Sequence, residues 1–122
     1  MKKYLILILL FAPAFVHGQE AKVYSTIQEE LSEKEQKKFM RGLSDIFRYP
    51  ANARRKGIEG VVKIEFAINP DGSTSNFSII ESVDPDLDEE GMRALKRVSE
   101  NTLWKKSDTT RWILFPFKFK LG

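Results

Sequence analysis

Hydrophobic residues recur along this chain in two rhythms, and the changes between them mark out its elements. Phe39, Leu43 and then Ile46 or Phe47 return every three or four residues, which predicts a helix from about Ser32 to Arg48 with a narrow apolar stripe. Ser32 followed by Glu35 has the spacing of a capping box. Tyr49-Pro50 then punctuates the chain, and proline suits a first helical position because that N–H has no partner in a helix. A helix of one or two turns, Pro50 to Lys56, is expected to stop at Gly57. From Gly60 the rhythm becomes two. Val62, Ile64, Phe66 and Ile68 fall on one face, with Lys63 and Glu65 on the other. Asn69-Pro70-Asp71-Gly72 reads as a turn. The return strand, about Thr74 to Ser82, puts Phe77 and Ile79 on one side and Asn76, Ser78 and Ile80 on the other, so the hairpin has one buried face.

Asp84-Pro85-Asp86 begins a second long helix with acids in its positive first turn. Leu87, Gly91, Ala94, Leu95 and Val98 share one side of it, and Trp104 in the exit loop is placed to cover the core. The last segment alternates strictly: Ile113, Phe115, Phe117, Phe119 and Leu121 oppose Trp112, Leu114, Pro116, Lys118 and Lys120. Pro116 in the middle cannot donate to a ladder, which assigns this strand to a sheet edge. The fold class is therefore α+β.

The first residues follow another logic. Lys2 and Lys3 precede an apolar run, and Ala12-Pro13-Ala14 with Val16 and Gly18 leads to Gln19. That is the layout of a secretory signal peptide over residues 1–18. The alternative, a retained membrane anchor, has to work with only 13 apolar residues between Tyr4 and Val16, broken by Pro13; a spanning helix wants about 20. Residues 19–31 read as a mobile lead-in and 32–122 as the folded domain.

Composition narrows the chemistry. There is no cysteine, hence no disulfide, lipid-anchor cysteine or thiolate metal site. Without residues 1–18 the charged residues number 18 basic and 17 acidic. A net charge so near zero gives no electrostatic case for nucleic acid. Arg54-Arg55-Lys56 and Lys105-Lys106 read as a helix end and a solvated turn. The sole histidine, His17, lies in the signal segment, so the mature chain lacks the usual general base. Asp84, Asp86 and Asp88 have the spacing of a calcium loop, but Glu89 stands where that loop needs glycine and Leu95 where it needs glutamate. Helix capping accounts for these acids better. No enzyme and no cofactor are implied.

One surface is left. An aromatic-rich edge strand can accept an extended peptide as an added strand. It can equally be an edge kept free by Pro116, Lys118 and Lys120. The residues alone leave both readings open.

The order and spacing of several short motifs resemble the C-terminal domain of TonB, the periplasmic energy transducer. They are Tyr49-Pro50 with Ala53, Gly57-Ile58-Glu59-Gly60-Val61-Val62, Phe66, Asp71-Gly72, Ser82, Asp84-Pro85, Leu87-Asp88, Trp104, and the ending Phe115-Pro116-Phe117-Lys118-Phe119-Lys120-Leu121. The resemblance covers about Phe39 to Leu121. It implies helices packed on one face of a three-stranded antiparallel sheet. It also implies a periplasmic binding module whose last strand pairs with a short segment of an outer-membrane receptor in TonB-dependent transport. Carried onto this sequence, the partner-binding residues are Arg111, Trp112, Ile113, Leu114, Phe115, Phe117, Lys118 and Phe119. The stretch Ser44 to Arg48 lacks a recognisable match to the family and is not included. Two rival readings accompany this one. The first is a short transducer held in the inner membrane by an uncleaved N-terminal helix. The second is a self-associating envelope protein in which two edge strands pair as a homodimer.

Overall fold

The computed structural model describes residues 22–122; the signal reading for residues 1–18 lies outside the described residues. Among those described, no helix is long and apolar enough to cross a membrane. In chain order the elements are β1 (Tyr24–Ser25), α1 (Ile27–Glu30), α2 (Glu33–Ile46), α3 (Ala51–Lys56), β2 (Gly60–Ile68), β3 (Thr74–Glu81), α4 (Pro85–Glu100) and β4 (Arg111–Phe119).

Local chemistry sets the boundaries. Ser32 accepts from the Glu35 amide at 3.2 Å and caps α2. The full reciprocal box forms instead at Thr26 and Glu29, the start of α1. Pro50 stands one place before the position expected of it, as the N-cap of α3. Gly57 ends that helix at φ 69°, and the Ile58 amide reaches back to the Ala53 carbonyl at 2.9 Å, closing a Schellman turn. The Asp84 carboxylate caps α4 by accepting from Asp86 and Leu87 amides, and Asp88 accepts from the Val83 amide. The acids from Asp84 to Asp88 therefore organise a helix start.

The sheet runs β1-β4-β2-β3. β2 pairs antiparallel with β3 on one side and along its whole length with β4 on the other. To the three expected strands the structure adds a fourth: β1 lies parallel to β4, with Tyr24 opposite Trp112 and Ser25 opposite Ile113. Mixed rather than purely antiparallel, this sheet includes part of the segment read as a lead-in. The β3 strand bulges at Asn76, a non-glycine residue at φ 56°. The extra residue keeps Phe77 in phase with Phe66, and the two rings stack at 4.9 Å.

Helices α2 and α4 cover one face. Phe39 and Leu43 from α2, Leu87, Ala94 and Leu95 from α4, and Ile64, Phe66, Ile113 and Phe119 from the sheet are all buried there. Trp104 closes the end of this core, with its ring edge-on to Phe39 at 5.9 Å and its indole N–H on the Ser99 carbonyl at 2.9 Å. Glu90, also buried, accepts from the Arg48 amide and from Arg93, which ties the end of α2 to α4.

Candidate functional site: an open strand edge beside an apolar groove

Every residue of β4 from Arg111 to Phe119 has a partner on β2, so the strand is held rigidly along one side. On its other side β1 pairs only with Trp112 and Ile113. From Leu114 onward no strand among the described residues covers β4. The edge inferred from Pro116 is therefore present over Leu114 to Phe119 and closed before it. Pro116 itself is exposed and sits opposite Lys63 of β2.

A groove of about 260 Å³ runs beside this open stretch, lined by Met40, Leu43 and Ser44 of α2, by its C-cap Phe47, and by Phe115 to Lys118 of β4. Its walls are mainly apolar because α2 turns its Phe39–Leu43 stripe toward the sheet and leaves the flank of that stripe uncovered. Met40 is 53 % exposed there, a large apolar side chain with one face in solvent. Phe47 packs on Phe117 at 5.8 Å and on Phe119 at 5.5 Å, forming the floor.

The eight residues singled out from the sequence divide into three groups. Ile113, Phe115, Phe117 and Phe119 send their side chains toward the core; Ile113 lies where β1 closes the edge, and Phe115 and Phe117 also line the groove. Arg111 and Trp112 are engaged within the chain. The Arg111 guanidinium donates to Glu30 Oε1 at 3.2 Å, and Trp112 lies beneath the Lys22 ammonium, 3.9 Å from its ring centre. Leu114 is half-buried and Lys118 exposed; their side chains face outward beside the open edge. Sequence reasoning left the α2 wall out: it did not consider Met40 or Leu43 for the site, and it set Ser44 and Phe47 aside with the stretch Ser44 to Arg48. An amphipathic stripe locates the buried face of a helix, but not which flank of it a neighbouring strand leaves bare.

On the outer face of the sheet lies Glu65. The alternation of β2 assigns it to the polar side, yet it is only 5 % exposed. Lys22 and Tyr24 cover it, donating to its carboxylate at 2.7 and 2.6 Å. Burial raises the carboxyl pKa, but hydrogen bonds from Lys22 and Tyr24, with the charge of Lys22, outweigh it and hold Glu65 below the ordinary carboxylate range. The same hydrogen bond, with burial and the nearby negative charge, raises the Tyr24 phenol. This arrangement does no chemistry on a substrate; it fastens β1 across the sheet.

Residues 47–121 match the family described as Gram-negative bacterial TonB protein C-terminal. Protein TonB from two strains of Helicobacter pylori is 33 % and 32 % identical over 85 residues, or 69 % of this chain in each case. The matched stretch spans only 30 % and 29 % of those relatives' length. A solution structure of the Helicobacter pylori TonB C-terminal domain superimposes with a TM-score of 0.62 at 27 % identity, covering 75 % of this chain and 85 % of that one. A shorter form of the same domain gives 0.56 at 28 % identity, covering 72 % and 95 %. The match reaches from Phe47 in the groove floor to the end of β4, and by it this chain belongs to the TonB C-terminal domain family.

Proposed function

We propose that this chain is exported to the periplasm and docks an extended segment of a TonB-dependent outer-membrane receptor, by strand addition to β4 over Leu114 to Phe119. Membership of the family makes the protein non-enzymatic, so a binding surface is the function to be explained. The observation that carries the reading is the coincidence of an unpaired edge with an apolar groove along the same residues. Backbone groups of the edge supply affinity in strand addition, and alternate side chains of the incoming segment supply selectivity. Here the inward side chains of an added strand meet Met40, Leu43 and Phe47, and the outward ones lie beside Leu114 and Lys118. The pairing of β1 with Trp112 and Ile113 on this same side of β4 supports the reading.

Peptides from the N-terminal segments of outer-membrane receptors, titrated into the isotopically labelled protein, test this directly. The amides of Leu114, Phe115, Phe117, Lys118 and Phe119 and the Met40 methyl are expected to shift together. If these stay still while other regions respond, the assignment of the edge is wrong.

A further inference from the structure

We infer that β1 and α1 form a register stop for the docking edge, confining an added strand to Leu114–Phe119; the inference rests on the strand-addition reading above. The edge of β4 does not simply fade at Leu114. It is closed by a segment of the same chain that pairs with Trp112 and Ile113 and then turns away. Thr26 ends the strand by capping α1 through a full box with Glu29. Ile27 and Leu31 follow at once and are buried in the core, so the chain cannot slide along β4.

Polar side chains pin the strap from both directions. Glu65 belongs to β2, which lies beyond β4 from β1. Lys22 and Tyr24 must therefore reach across the outer face of β4 to bond it. Lys22 crosses over the Trp112 ring, and the Glu65 that both side chains bond lies opposite Leu114 in the ladder, where the open edge begins. On the other side Arg111 of β4 bonds Glu30 of α1 at 3.2 Å, with both side chains largely buried. Ser25 Oγ donates to the second oxygen of the same carboxylate at 2.8 Å. Residues Lys22, Tyr24, Glu30, Glu65 and Arg111 are thus positioning residues, holding the strap without facing the docked segment.

A stop matters because strand pairing has no register of its own. A slip of one residue turns every side chain of the added strand to the opposite face. The outward row Trp112, Leu114, Pro116 and Lys118 continues without a break, and a longer open edge would admit several registers. With the strap in place, one end of the added strand abuts Thr26, and the groove beside Met40 lies at a fixed distance from that end.

The test lengthens the titrated peptides one residue at a time toward Arg111 and follows amide exchange in the full chain. Affinity is expected to rise until the peptide spans Leu114–Phe119 and then change by less than about twofold, with Tyr24 and Ser25 still protected. In the double variant Lys22→Gln/Tyr24→Phe, longer peptides are expected to gain about tenfold and to protect Trp112. Should that variant keep the wild-type plateau, adding Glu30→Gln removes the second pin; a plateau that survives all three changes overturns the stop. It is also overturned if longer peptides displace Tyr24 and Ser25 in the wild-type chain, an outcome that leaves strand addition standing. If no β4 amide responds to any peptide, strand addition fails and the stop with it.

Discussion

Tyr24 donates a 2.6 Å hydrogen bond to Glu65, 41 residues further along the chain and two strands away in the sheet. The bond makes a buried carboxylate tolerable and turns a segment without apparent structure into part of the sheet. A carboxylate out of water needs such partners, because desolvation without them costs several kcal/mol.

Acid should loosen this fastening first. The folded-state pKa of Glu65 is lowered, so its contribution is present above the unfolded carboxylate value of about 4.3 and is lost as pH falls through the folded value. Asp71, lowered by the Ser73 hydroxyl and amide, acts in the same direction. Urea unfolding of Glu65→Gln is expected to show a loss of about 1–3 kcal/mol at neutral pH. Between about pH 6 and pH 3 its stability should fall less steeply than that of the wild type. Parallel curves would assign the acid sensitivity elsewhere.

The core should be sensitive at Phe39. Its ring is 2 % exposed and meets Trp104 and Phe115 edge-on at 5.9 and 5.8 Å. Phe39→Ala leaves a cavity among rigid neighbours and is expected to cost about 3–5 kcal/mol, measured by denaturant midpoint at constant slope. A loss below about 1 kcal/mol would show that α2 can collapse into the gap.

Two glycines with positive φ separate backbone strain from crowding. A Cβ at Gly57 meets nothing within 4 Å, whereas one at Gly72 falls 3.0 Å from the Trp104 carbonyl oxygen. Gly57→Ala therefore carries only the left-handed penalty, about 1–2 kcal/mol. Gly72→Ala adds a clash with a loop that is itself bonded to the hairpin through Ser107 and Pro70. The second variant is expected to be the less stable of the two in thermal melts; the reverse order would place the strain elsewhere.

Met40→Asp distinguishes docking from folding. The side chain is more than half exposed, so the substitution is expected to change stability by no more than about 0.5–1 kcal/mol. It puts a charge in the apolar groove beside Phe117, and receptor-peptide affinity is expected to fall by about tenfold or more. Unchanged affinity in calorimetry would remove the groove from the site.

Much of the scaffold was legible because its signals are local. The Gly57 stop, the Asn69–Gly72 turn, the Asp84 cap and the alternation of β4 each depend on residues a few positions apart. Their physics does not need the rest of the molecule. The apolar stripe from Ser32 predicts a helix end at Arg48, two residues beyond the observed end at Ile46. By contrast β1 has only two residues, too few to show any period. Glu65 gave no hint of burial, since the residues that cover it lie far upstream.

The sequence by itself determined an α+β chain with a proline-bearing final strand, because hydrophobic rhythm, caps and turns are short-range properties. It also determined which side chains of β4 enter the core. Only the tertiary structure decided how much of that strand remains open. Closing the edge at Ile113 depends on Lys22 and Tyr24 reaching Glu65, and opening the groove depends on where α2 crosses the sheet. Both are contacts between distant residues, fixed by packing and by the need to satisfy one buried charge. Pro116 marks an edge, and the fold sets where that edge begins.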